Sequence, residues 1–129
     1  MVTVCFDFDG VLAAYSGWCE DGSIGEPIPS GVELLKLLKG QGFKIVVSTC
    51  RTHPEHAAAV AQYCKVAEWL QKHGLYSSVS VIDTVGKPTA DVYVDDRGLF
   101  FDQSQGRNDQ YAEYMFGVIM DRVYGDGEE

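Results

Sequence analysis

Val2-Thr3-Val4-Cys5-Phe6-Asp7-Phe8-Asp9-Gly10-Val11-Leu12 is the stretch that decides the fold of this chain. Its first half is apolar and β-branched, and its second half carries two carboxylates one residue apart. That join reads as a buried strand over Thr3 to Asp7 that delivers acids to the end of a sheet. Strand side chains alternate faces, yet at a frayed C-terminal end Asp7 and Asp9 can lean over one crevice. Gly10 permits the sharp exit that follows. Burying acids is costly without a cation or a protonation event to justify them, so the stretch marks a chemical site.

A lone Asp-x-Asp is usually a pair of solvated loop acids, and three later segments change its weight. Lys44-Ile45-Val46-Val47-Ser48-Thr49-Cys50-Arg51 is a second apolar strand, ending in hydroxyls and a base. Gly86-Lys87-Pro88 places a lysine in a turn. Ala90-Asp91-Val92-Tyr93-Val94-Asp95-Asp96-Arg97 is a third strand, ending in paired acids.

Between these strands the pattern is helical. Ser30-x-x-Glu33 reads as a capping box opening a helix with an apolar stripe of Val32, Leu35 and Leu38, flanked by Leu34 and Leu37, and closed by Gly40 or Gly42. Thr52-x-x-Glu55 reads as a second box, with Pro54 in the first turn, and the spacing predicts that this helix buries Val60, Cys64, Ala67 and Leu70 before Gly74 stops it. A short strand, Val79 to Ile82, follows. A closing helix from about Asp109 to Tyr124 presents Tyr111, Met115, Val118 and Arg122/Val123, and Tyr114 and Phe116 read as packing or interface residues. Residues 13–29, rich in glycine and proline and carrying Tyr15 and Trp18, read as an irregular turn and flap. Strands alternating with helices predict an α/β fold, a three-layer α/β/α Rossmann-like parallel sheet. Ligands of such sheets bind beyond the carboxyl ends of the strands.

Asp, Asp, Thr, Lys, Asp, Asp, delivered in that order by strand ends and a turn, resembles the haloacid dehalogenase-like superfamily of hydrolases, in its small, capless phosphatase form. The matching pieces are Asp7 to Val11, Thr49, Lys87 and Asp95-Asp96. The resemblance implies hydrolysis of a phosphomonoester through an aspartyl phosphate. It implies Asp7 as nucleophile, Asp9 as general acid and then base, Thr49 as a donor to the transferring phosphoryl group, and Lys87 as charge compensation. It also implies Mg²⁺ held by Asp7, the Asp9 carbonyl, Asp95 and Asp96, with Asp102 a further acid in view. Ser48 is the alternative to Thr49. Gly10, with backbone N–H groups around Phe8 to Gly10, would cradle phosphate, and Arg51 and Arg97 would bind substrate or pair with a local acid. An acid at Asp9 points to phosphoester rather than carbon–halogen or phosphonate cleavage. The adjacency of Asp95 and Asp96 departs from the commoner spaced pattern and leaves open which of them touches metal.

The chain has 129 residues and reads as one domain, with an acidic end over residues 125–129 expected to be disordered. Its formal charge of −9 disfavours nucleic acid, whose nonspecific binding needs basic surface. No apolar run approaches a membrane span, and Cys5, Cys19, Cys50 and Cys64 lack disulfide or metal spacing, so a reducing, cytoplasmic setting is expected. Cys50-x-x-His53-x-x-His56 suggests zinc but lacks a fourth ligand at suitable spacing. No insertion is long enough to form a lid domain. The site is therefore expected to be open, partly covered by the flap, or closed by a second copy in a homo-oligomer, and the acidic balance favours a small phosphorylated metabolite as the partner. The alternatives are a polynucleotide or phosphoprotein end, and a fold-retaining domain that binds without turnover.

Overall fold

The computed structural model describes residues 1–17, 22–52, 58–84, 90–95 and 101–124. Strand β1, Thr3–Asp7, falls where the sequence places it. It lies between β2, Lys44–Ser48, and β4, Val92–Val94, with β3, Val81–Ile82, at the far side of β2. All three pairings are parallel. The expected α/β character is what the structure shows: a four-stranded parallel sheet with three helices, a Rossmann-like core.

Alternation along the strands decides what enters the core. Val4 and Phe6, Ile45 and Val47, and Val92 and Val94 share one face and join the main apolar cluster. That cluster also takes Leu34, Leu35 and Leu38 from α1, Pro29–Gly40, Val66, Trp69 and Leu70 from α2, Ala59–Lys72, and Met115 and Ile119 from α3, Tyr111–Tyr124. Cys5 and Val46 point to the other face and are buried as well. With both faces excluded from water, the strands need the unbroken apolar runs that the sequence carries.

The first capping box does not form. Ser30 lies inside the first turn of α1, behind Pro29, and its hydroxyl donates across the fold to the carbonyls of Gly106 (2.8 Å) and Asn108 (3.1 Å). Thr52 is buried in a 3-10 turn, Cys50–Thr52, and donates to the Asp83 carbonyl at 2.6 Å, joining the end of β2 to the end of β3. Pro54 and Glu55 lie outside the described residues. At Ser30 tertiary acceptors take the hydroxyl and no local cap forms.

The buried face of α2 also differs from expectation. Val60 is 81 % exposed and Cys64 is exposed, while Gln62, Val66, Trp69 and Leu70 turn inward. Both stripes have helical spacing. The inner one carries polar groups that have buried partners: Gln62 accepts from Arg51, and Trp69 donates to the flap carbonyl of Gly25. Among the described residues no helix is long and apolar enough to cross a membrane.

Candidate active site

Register fixes the first part of the site. Phe6 pairs with Val94 and Asp7 with Ser48, so in parallel strands Asp95 follows β4 at the level where Asp7 ends β1. Ser48, Asp7 and Asp95 thus form a row at the carboxyl edge of the sheet. Asp95 is buried, and Asp7 is half-buried.

Beyond β1 the chain closes one tight turn. The N–H groups of Leu12 and Ala13 both donate to the Phe8 carbonyl, at 3.0 and 3.1 Å. Gly10 supplies the reversal with φ +89°, a value that side chains disfavour. Asp9 is thereby brought over the sheet edge beside Asp7. Two of the N–H groups expected to cradle phosphate are already engaged: Phe8 donates to Ser48 O and Gly10 to Ala13 O. The cradle is therefore not built from them.

Leu12–Ala14 runs antiparallel to residues 26–28, through Ala14 N–H to Glu26 O and Ile28 N–H to Leu12 O, both 2.8 Å. This is the stem of the expected flap. Tyr15 follows it and faces the segment after β4. Its N–H donates to Gln103 Oε1 at 2.7 Å, and its carbonyl accepts from Gln103 Nε2 at 3.2 Å.

A cleft of about 620 Å³ lies between these parts, lined by Asp7, Asp9, Gly10, Thr49, Cys50 and Asp95 on one side and by Tyr15 and Phe101 to Ser104 on the other. Of the two hydroxyls after β2, Thr49 lines the cleft and Ser48 is not among its lining residues. Lys87, Asp96 and Arg97, with the His53 and His56 of the zinc reading, lie outside the described residues.

Arg51 takes the second of the two roles considered for it. Its guanidinium is buried and turned to Asp9, with Nε donating to Oδ2 at 2.8 Å and Nη2 to Oδ1 at 3.1 Å. It stands behind the acid and outside the cleft lining.

Among the described residues no group of three or more Asp, Glu, His or Cys side chains is gathered as for a metal ion. The Asp7 and Asp95 carboxylates, with a backbone carbonyl and waters, nevertheless suit Mg²⁺, which takes one or two protein carboxylates and keeps much of its water. Two acids on adjacent strand ends in one cleft repel each other, and a cation relieves that repulsion.

Of the wall opposite, the sequence reading foresaw Tyr15 in the flap and Asp102 as an acid in view, and missed Phe101, Gln103 and Ser104. Asp102 Oδ1 accepts from Ser104 N (3.0 Å) and Ser104 Oγ (2.7 Å), while its own N–H donates to Tyr111 Oη at 2.7 Å. The Tyr111 ring packs against Phe101, centroids 5.1 Å apart. Burial, the larger effect, together with the nearby Asp102 charge pushes the Tyr111 phenol above its ordinary 10, against the opposing hydrogen bond from Asp102. The Asp-x-Ser pattern at Asp102–Ser104 was the available signal, since it favours a local side-chain turn.

No family model matches the chain, and no curated protein matches it. A solved structure, that of a conserved protein from Bacteroides thetaiotaomicron, is similar with a TM-score of 0.62 and 23 % identity, over 93 % of this chain and 90 % of that one. The likeness is one of fold.

Proposed function

We propose that the protein is a phosphomonoester hydrolase that works through a phosphorylated aspartate, with Mg²⁺ as its metal. The observation that carries this reading is the convergence of Asp7, Asp9, Thr49 and Asp95 on one cleft at the carboxyl edge of the sheet. These acids and the hydroxyl are the parts the family resemblance requires, and they come from three separate strand ends.

An Asp7 oxygen attacks phosphorus while the bond to the leaving oxygen breaks, and Asp9 supplies the proton that oxygen needs. Water then attacks the aspartyl phosphate and gives a proton to Asp9. Inorganic phosphate leaves, and Asp7 returns to a carboxylate. Thr49 donates to the phosphoryl oxygens through both steps. Asp7, Asp95 and the Asp9 carbonyl would hold the metal, which supplies neutralisation of phosphoryl charge when bound. Lys87 and Asp96 are assigned from the resemblance alone.

The cleft volume supports a small substrate, since about 300–1,000 Å³ is usual for small-molecule sites. A net charge of −9 weighs against a polynucleotide end. The test is a panel of metabolite and macromolecular phosphates assayed with Mg²⁺ and with EDTA. Metal-dependent release of phosphate from small esters is expected. No metal-dependent turnover across the panel would favour the non-catalytic binding domain, and turnover confined to macromolecular phosphates would overturn the small substrate.

A further inference from the structure

Arg51 does more than neutralise Asp9. Among the described residues its side chain makes five hydrogen bonds, and a guanidinium has five N–H groups to donate. Besides the two to Asp9, Nη1 donates to Gly22 O and to Gln62 Oε1, both at 2.9 Å, and Nη2 donates to Ser23 O at 3.1 Å. One buried, planar group therefore joins the acid after β1, the return limb of the flap and the inner face of α2.

The flap limb is fitted to this arrangement. Gly22 has φ +68°, and a Cβ there would fall inside the Gln62 side-chain amide. Gln62 is 3 % exposed, a degree of burial unusual for glutamine without a bonding role. Two turns further along α2, Trp69 donates its indole N–H to Gly25 O at 3.0 Å, and its ring meets Phe8 edge-on with centroids 5.0 Å apart. The flap is thus held at two levels by α2, and the upper level is shared with Asp9.

We propose that Arg51 is a positioning residue that makes the orientation of the Asp9 carboxyl and the docking of flap residues 22–25 a single property of the fold. The two parallel bonds of the fork fix the plane of the carboxyl, and each Asp9 oxygen keeps a second lone pair for the leaving group or water. A lysine ammonium, a point charge with three donors, cannot hold that plane and reach Gly22, Ser23 and Gln62 together. Loosening either end loosens the other, because removing one partner weakens the compensation of a buried charge. The catalytic part of this inference rests on the proposed function. The coupling itself does not.

The experiment separates the two. Hydrogen exchange of the Trp69 indole N–H, assigned by NMR with Trp18→Phe as reference, reports flap docking without any assay of activity. Asp9→Asn and Arg51→Lys are each expected to speed that exchange by about tenfold or more through local opening, with the amides of β1 and β2 unchanged. Indole exchange at the wild-type rate in both variants overturns the coupling. In the same proteins, Arg51→Lys is expected to lower kcat/KM, which reports the step that expels the leaving group, by about 10²-fold on an alkyl phosphate and far less on a nitrophenyl phosphate, whose leaving group needs little proton. Added to Asp9→Asn, it should cost nothing further. Equal losses on both esters, or additive losses in the double variant, overturn positioning through Asp9. If the wild-type protein cleaves no phosphate ester, the proposed function falls and the indole measurement still decides the coupling.

Discussion

The two walls of the cleft are built on different principles. The wall behind Asp9 rests on buried groups: Arg51 at 4 % exposure, Gln62 at 3 % and Trp69 at 8 %, with Arg51 bonded to Asp9 and to backbone carbonyls, Gln62 to Arg51, and Trp69 to the Gly25 carbonyl. The opposite wall, Tyr15 with Gln103 and Ser104, is exposed, and its bonds run between groups that water can also satisfy. A hydrogen bond sheltered from water is stronger, and breaking it strands its partner. Under the proposed function, the first wall suits a group that must not move during proton transfer. The second suits contact with a leaving group that varies from one substrate to another.

The largest contrast to test lies between two aspartates that line the same cleft. Asp7→Asn should abolish phosphoenzyme formation, since an amide is a poor nucleophile. Asp102→Asn should keep the covalent step and shift KM between substrates with little change in kcat for a good leaving group. Rapid-quench labelling with an aryl phosphate checks both. Labelled Asp7→Asn would show that the nucleophile lies elsewhere and would remove the chemical basis for ranking the walls.

The next contrast is one of stability. Gly22→Ala must place a side chain at φ +68° and push a Cβ into Gln62, so it meets backbone strain and overpacking together. A loss of about 1–3 kcal/mol is expected in urea melts. Gln103→Ala removes two exposed bonds to the Tyr15 backbone and should stay within about 0.5 kcal/mol of wild type. If the two losses are equal, the distinction between a rigid and an adaptable wall is wrong.

Which wall the sequence reveals follows from the same physics. β1 and the start of β2 were legible because strands buried on both faces need continuous apolar runs, and Asp7 followed from where the first run stops, whereas the choice of Thr49 over Ser48 came from the family resemblance. Of the second wall the sequence showed Tyr15 in the flap and Asp102 as a further acid, with the Asp102–Ser104 turn as a trace of the rest. What tied the first wall to the flap was not legible at all. Arg51 and Asp9 stand 42 positions apart, and Arg51 and Gly22 stand 29 apart. Gln62 sits on the inner stripe of α2 to serve that arginine. A count of apolar residues therefore favours the wrong stripe, through Val60 and Cys64. The hydroxyl of Ser30 misled for a related reason. It sits where a cap would form and is claimed by carbonyls from a distant segment.

The smallest expected effect concerns the support of the exposed wall at high pH. Tyr111 accepts from the Asp102 N–H and packs on Phe101, so the neutral phenol holds the residues that face the leaving group. Its pKa is raised above 10 in the folded protein, chiefly by burial. Between the unfolded and folded values the native state therefore binds more protons than the unfolded chain, and stability falls as pH rises through that window. Below pH 10 this contribution is fully present. Tyr111→Phe keeps the ring against Phe101 but leaves the Asp102 N–H without its acceptor, which at a half-buried site should cost about 1 kcal/mol near neutral pH. It should also flatten the alkaline limb of the stability curve above pH 10, because phenylalanine has no proton to lose. Urea midpoints measured from pH 8 to 11 for both proteins check this. An alkaline limb equally steep in the variant would assign it to other groups, and the exposed wall would then owe nothing to the protonated phenol beneath it.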